Sequence, residues 1–263
     1  MSSFRDRCIG RKGLVGTFAA IPHPVAVEIT AQSGFDFLCI DWEHAQISRD
    51  MIENLVRASD VHQVPAMVRV PGHGAETIAA ALDSGARGIL VPRVSSAAQA
   101  AAAVEAARYP PLGRRGVGPG RAASYGYRIP EYLAGANAEL VVALQVETAE
   151  GLDNVDAIAA TEGVDVVFVG PGDLSVSIDA IGPEHTDRLS CAIEAIVAST
   201  LAHGKVAGIF CTTPQAVGRW SAAGASFFIL ASDTMFLGAE AAARYAAARE
   251  MAVPARSRSG PTG

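Results

Sequence analysis

Eight short apolar runs rich in β-branched residues alternate with longer, alanine-rich segments of helical periodicity over nearly the whole chain, and this alternation constrains the fold more than any other feature. The runs are Leu14–Phe18, Asp36–Ile40, Ala66–Val70, Gly88–Val91, Val141–Val146, Asp165–Val169, Val206–Phe210 and Phe227–Ala231. Helical segments fall near 24–33, 48–61, 74–84, 95–108, 149–160, 187–203, 213–223 and 234–250. Eight strand-helix units in about 250 residues is the size of a single-domain α/β (β/α)8 TIM barrel, whereas an open doubly wound sheet uses fewer strands. Local signals agree: Thr213-Pro214 reads as an N-cap with proline in the first turn, and Gly34, Gly85, Gly204 and Gly224 read as helix stops just before strands. The expected organisation is an N-terminal extension over 1–12, the barrel over 13–250 and a disordered tail over 251–263. Only 109–139 breaks the rhythm, as a long loop punctuated by Gly and Pro between strands four and five.

Several function classes are excluded by what the chain lacks. There is no apolar stretch of the roughly 20 residues that span a bilayer, and the N-terminus has no signal-peptide core, so a cytoplasmic protein without membrane partners is expected. A net charge of -6 without a basic run argues against nucleic acid. Cys8, Cys39, Cys191 and Cys211 show no CxxC spacing, so neither disulfides nor a cysteine-zinc site is expected. The only lysines, Lys12 and Lys205, precede strands, at the end opposite the usual barrel active site. Schiff-base chemistry is therefore disfavoured, and a carbonyl must be activated by a metal or by arginine.

Residues at the strand exits converge on one mouth of such a barrel. Asp41, Glu43 and His44 follow strand two, Arg69 ends strand three, Gln145 and Glu147 follow strand five, and Asp173 follows strand six. Glu147 and Asp173 lie one unit apart, on neighbouring strands, where two carboxylates suit an oxygen-loving divalent ion; each alone would read as a helix N-terminal acid. His44 can move a proton at neutral pH, with Asp41 placed to orient its imidazole. Arg69 sits in an apolar run and must either face the pocket or form a buried pair with Asp41 or Asp83. The turn Gly170-Pro171-Gly172-Asp173-Leu174-Ser175 offers backbone N–H groups for a small carboxylate, whereas Gly116-Val117-Gly118-Pro119-Gly120 is not a dinucleotide fingerprint.

These segments, as an ordered set, resemble the HpcH/HpaI family of class II pyruvate aldolases over about residues 13–238. The matching pieces are Gly16-Thr17-Phe18, Asp36-Phe37 through Asp41-Trp42-Glu43-His44-Ala45, Val68-Arg69-Val70, Tyr109-Pro110-Pro111 with Arg115-Gly116-Val117-Gly118, Gln145-Val146-Glu147-Thr148 and Phe168 to Ser175. The resemblance implies that Glu147 and Asp173 bind Mg2+ or Mn2+, with Co2+ and Zn2+ as further candidates, and that pyruvate chelates this ion. It implies that Arg69 stabilises the enolate and that His44, supported by Asp41 and Asp83, serves acid/base steps through water. Gln145 would lie beside the pyruvate, whose carboxylate meets the N–H groups of Gly172 and Asp173, with Ser175 in the same substrate-binding turn. A hexamer built from dimers that exchange the last helix is also implied. The reaction expected is reversible retro-aldol cleavage of a 4-hydroxy-2-oxo acid to pyruvate and an aldehyde.

Trp42, Gln46 and Asp179 depart from the family's usual residues, which bears on aldehyde specificity more than on the chemistry. The alternatives are a siderophore-type citrate synthase condensing oxaloacetate with acetyl-CoA, an acyl-CoA carbon-carbon lyase, and a non-catalytic metabolite-binding protein. Under the condensing reading Arg114, Arg115 and Arg121 would hold an extra carboxylate or phosphate; they could equally solvate the loop or pair across subunits.

Overall fold

Eight parallel strands hydrogen-bond in chain order and close on themselves through pairing of the first with the last. The structure is a computed structural model describing residues 2–252, so the disordered tail expected over 251–263 lies, from residue 253 on, outside the described residues. The elements run α1 (Phe4–Ile9), β1 (Leu14–Ala19), α2 (Pro24–Ala31), β2 (Phe37–Asp41), α3 (Arg49–Val61), β3 (Ala66–Arg69), α4 (Ala75–Asp83), β4 (Gly88–Val91) and α5 (Ala97–Ala107). They continue α6 (Ile129–Glu139), β5 (Val141–Val146), α7 (Ala149–Asp153), α8 (Val155–Ala160), β6 (Val166–Val169), α9 (Pro171–Ser177), α10 (Thr186–Ala202), β7 (Val206–Cys211), α11 (Pro214–Ala222), β8 (Phe227–Ser232) and α12 (Asp233–Met251). All eight strands thus match the expected runs to within a residue at either end. The helix expected over 149–160 is broken at Asn154, whose side-chain amide donates to Ser95 O at 2.9 Å.

Strand side chains alternate between two cores. Phe37, Cys39, Met67, Leu90, Val141, Ala143, Val166, Phe168, Phe227 and Ile229 fill the barrel, while Leu38, Ile40, Val68, Ile89, Val142, Leu144, Val167 and Val169 face the helices. The interior is therefore packed below the mouth. Residues 1–12, ahead of the barrel proper, contribute α1, which closes the base: Phe4 packs on Phe37 and Phe227 with ring centroids at 5.5 and 6.4 Å. Beside it Asp165 accepts from Arg5 at 2.7 Å and from Arg108 at 2.8 Å, so the buried charges at the base are paired.

Two regions depart from the expected rhythm. Residues 109–139 are not a plain loop: a 3-10 stretch over Arg121–Gly126 leads into α6, in which Pro130 occupies the first turn and Gly135 and Asn137 depress helical propensity. α12 follows β8 but barely packs on its own barrel, for every residue from Thr234 to Ala252 is exposed. No helix among the described residues is long and apolar enough to cross a membrane.

Candidate active site

Period-two alternation carries the inward set of each strand up to its C-terminal end, where it turns polar. In β2 the inward series Phe37, Cys39 ends on Asp41; in β3 Met67 is followed by Arg69; in β5 Val141 and Ala143 are followed by Gln145 and then Glu147. In β6 Val166 and Phe168 lead to Gly170. These ends surround a cavity of about 380 Å³ lined by Phe18, Ala20, Asp41, His44, Arg69, Gln145, Phe168, Gly170, Pro171, Gly172, Asp173, Phe210, Ser232 and Thr234.

Arg69 both faces this cavity and forms the buried pair with Asp41, so the two readings of its position combine. Nε donates to Asp41 Oδ1 at 2.9 Å and Nη2 to Oδ2 at 2.7 Å, and the guanidinium carbon lies 4.2 Å from the centroid of Phe18. Burial would lower the guanidinium pKa, but the hydrogen bonds and charge of Asp41 outweigh it and hold the group above its ordinary value. Arg69 is thus a fixed cation, with Nη1 free of hydrogen bonds among the described residues.

The expected Asp41–imidazole contact is corrected by the structure. Asp41 spends both oxygens on Arg69 and additionally accepts from the backbone N–H of His44 at 3.1 Å. It therefore fixes the turn that carries His44, while the imidazole is 58% exposed and has Nε2 at 3.6 Å from Glu43 Oε2. Within this chain Asp83 does not meet His44. It ends α4, which runs back toward the base, and its Oδ1 pairs with Arg115 Nη2 at 2.6 Å. Ser175 lies outside the lining set, its hydroxyl donating to Gly172 O at 2.6 Å.

Glu147 does not itself line the cavity but abuts its lining: it is 2% exposed, with Oε1 accepting from Arg93 N at 2.8 Å and Oε2 from Gln145 Nε2. Arg93 takes a positive φ of 52° to present that N–H. Desolvation pushes the Glu147 carboxyl above its ordinary range, Gln145 and Arg93 pull it down, and the charge of Asp173 pushes it up again. Asp173 reaches the same cavity from the first turn of α9. Gly170 separates the two, and a Cβ there would collide with Glu147 Oε2 and stand 2.8 Å from Gln145 Nε2.

The donor set suits a hard cation. Glu43 Oε2 and Gln145 Oε1 are buried acceptors without a hydrogen-bond donor, and Glu147 and Asp173 add two carboxylates. Among the described residues no three His, Cys, Asp or Glu converge as a ready-made metal cage, so Glu147 and Asp173 could hold an ion only with substrate or water completing its shell. Sequence reasoning gave no role to Glu43, nor to the aromatic wall of Phe18, Phe168 and Phe210. Parity was the available signal for two of them, since Phe18 is two residues from Gly16 and Phe168 two from Gly170.

The three loop arginines lie apart from the cavity. Arg121 pairs with Asp60 at 2.6 Å, Arg115 with Asp83, and exposed Arg114 stands 3.9 Å from Glu105.

Residues 14–239 match the family model described as HpcH/HpaI aldolase/citrate lyase. A 4-hydroxy-2-oxovalerate aldolase of Novosphingobium aromaticivorans is 39% identical over 221 residues, covering 84% of each chain. A crystal structure of an HpcH/HpaI aldolase/citrate lyase family protein from Burkholderia cenocepacia J2315 superposes with a TM-score of 0.88 at 34% identity, covering 93% of this chain and 98% of the other. That of the citrate synthase SbnG gives 0.86 at 30%, covering 95% and 98%.

Proposed function

The chain belongs to the HpcH/HpaI aldolase/citrate lyase family and is an aldolase, a carbon-carbon lyase that releases pyruvate, and we propose that it works as a class II enzyme in which Glu147 and Asp173 bind the divalent ion. The observation that carries this reading is the placing of two carboxylates, Asp173 in the cavity lining and Glu147 hydrogen-bonded to Gln145 of the same lining, at a mouth whose guanidinium is locked by Asp41. Mg2+ or Mn2+ fits the all-oxygen donor set, with Co2+ and Zn2+ as further candidates. When bound, the ion supplies Lewis-acid polarisation of the substrate's 2-oxo group.

The chain's own residues supply the rest. Arg69 donates from Nη1 to the oxygen on which negative charge develops, and Asp41 keeps it from relaxing away, so no reorganisation is needed at the moment of reaction. His44 Nε2 accepts the proton of the 4-hydroxyl through a water; the C3–C4 bond then breaks, an aldehyde leaves, and the imidazolium returns that proton through the water to C3, giving the pyruvate methyl group. Gln145 and the backbone N–H groups of Gly172 and Asp173 position the 2-oxo acid. The aromatic wall of Phe18, Phe168 and Phe210 excludes water from that end.

Release of pyruvate from 4-hydroxy-2-oxo acids, followed by coupled reduction with lactate dehydrogenase, tests this. Chelation is expected to abolish release and Mg2+ or Mn2+ to restore it; full activity in chelator would overturn the metal role. The likeness to a citrate synthase makes oxaloacetate with acetyl-CoA the control substrate pair. Two of the three arginines that a condensing site would recruit are spent on Asp83 and Asp60, and all three lie apart from the cavity, which favours the aldolase reading.

We also propose that α12 docks on a second copy of this chain, within a hexamer, in the cytoplasm. Phe236 stacks on Phe35 of its own barrel with ring centroids at 6.1 Å, but it, Leu237, Tyr245 and Met251 remain exposed along an alanine-rich helix, as do Val25 and Ile29 of α2.

A further inference from the structure

Glu43 occupies a position where a glutamate would ordinarily reach solvent, yet it is turned inward and held there. The turn that carries it is pinned on both sides: Trp42 N donates to Arg69 O at 3.0 Å, and His44 N donates to Asp41 Oδ1 at 3.1 Å. Its side chain is 12% exposed and its Oε2 is buried without any hydrogen-bond donor. The nearest nitrogens do not donate to that atom. Arg69 Nε stands 3.5 Å away with its hydrogen directed at Asp41, and His44 Nε2 stands 3.6 Å away. A buried carboxylate oxygen in this state has the charge of Arg69 nearby but no hydrogen bond in place of its lost hydration, which is unfavourable unless a donor arrives.

The surroundings identify the donor. Burial pushes the Glu43 carboxyl up, Arg69 pulls it down, and the charges of Glu147 and Asp41 push it up again, so a cation arriving beside Glu147 would be favoured by both glutamates. Across the cavity Gln145 Oε1 is likewise buried and unpartnered, its amide nitrogen being spent on Glu147. Both acceptors lack a donor at the mouth of the barrel, and a hydrated divalent ion presents several O–H groups.

We propose that Glu43 is a positioning residue of the ion site, accepting through Oε2 a hydrogen bond from water in the divalent ion's shell and thereby acting as an outer carboxylate beside Glu147 and Asp173. The inference rests on the metal reading of the site. It assigns Glu43 to ion retention rather than to the proton transfers given to His44.

Mn2+ binding to the substrate-free protein, followed by water-proton relaxation, tests it without recourse to turnover. Glu43→Gln preserves size and is expected to leave the thermal midpoint of the ion-free protein unchanged while weakening Mn2+ binding about 10–100-fold. Glu43→Asp, which retains the carboxylate, is expected to lose less than Glu43→Gln. An affinity of Glu43→Gln within twofold of the unmodified protein overturns the role of Glu43, as does an equal loss in both variants. Failure of the metal reading looks different: the unmodified protein would bind no Mn2+, or Glu147→Ala would bind it undiminished, and the inference would fall with that reading.

Discussion

Asp41 and Arg69 are register partners across β2 and β3, and the same pairing that aligns their backbones brings both oxygens of one side chain onto two nitrogens of the other, at 2.9 and 2.7 Å. Sheet register thus sets the direction of the only buried guanidinium in the mouth among the described residues. Both groups are less than one-tenth exposed, so each depends on the other for its charge to be tolerated.

Removing one partner exposes that dependence. Arg69→Ala is predicted to destabilise the protein by about 3–5 kcal/mol in urea unfolding, because Asp41 is left as an unpaired buried carboxylate. Pyruvate release should fall by about 10²–10³-fold, the usual cost of losing one oxyanion donor. Normal turnover by Arg69→Ala would remove Arg69 from the chemistry.

Gly170 is predicted to be intolerant for a steric reason that is local to the ion site. Its φ of -99° is open to alanine, but the added Cβ would meet Glu147 Oε2. Gly170→Ala should therefore fold, with an unfolding midpoint near that of the parent, and bind Mn2+ more weakly as Glu147 is displaced. Calorimetric titration checks this, and undiminished affinity would show that Glu147 does not need its present position.

The raised carboxyl of Glu147 has a pH signature. Its folded form holds a proton more tightly than the unfolded chain does, so the stability that this proton contributes is complete below the ordinary value of 4.5 and is lost as pH rises through the raised folded value. Relative to Glu147→Gln, the ion-free protein should lose stability over that interval. Mn2+ must displace the same proton, so its affinity should rise with pH over the same interval, as read by relaxation titrations at several pH values.

α1 provides a test of the other end of the barrel. Phe4, 7% exposed against Phe37 and Phe227, should cost about 3–5 kcal/mol when replaced by alanine. Because the contact is at the base, kcat and Mn2+ affinity of Phe4→Ala should match the parent while its unfolding midpoint falls. A proportionate loss of activity in the folded variant would contradict the separation of base from mouth.

Much of this architecture could be read from residue order, for a physical reason: parallel strands buried on both faces leave near-continuous apolar runs, and Val141–Val146 and Gly88–Val91 are found where those runs stand. Gly85 and Gly224 adopt φ of 99° and 104° at the helix stops, conformations that glycine adopts without strain. α1 and α6 were not legible, being short or interrupted by Pro130 and Gly135, with most of their stabilisation coming from packing partners remote in sequence. In the site, Arg69, Gln145 and Asp173 could be placed by their position at strand exits. An Asp41–Arg69 pair is open to sequence reasoning as one of two buried pairings, but the choice of Asp41 over Asp83, and the loss of the Asp41–imidazole contact that follows from it, depends on the β2–β3 register, which residue spacing does not show. As a support for His44, Asp83 is expected only through the family resemblance; within this chain it ends α4 and pairs with Arg115.

Deuterium uptake into the pyruvate methyl group in heavy water, followed by proton NMR, bears most directly on the central claim that this cavity makes and protonates a pyruvate carbanion equivalent with a divalent ion held by Glu147. The account predicts exchange well above the protein-free rate with Mg2+ or Mn2+, none with chelator, and none with Glu147→Ala. Absence of exchange by the folded protein with every divalent ion tried would contradict it, and would put oxaloacetate with acetyl-CoA in place of pyruvate as the next substrates to test.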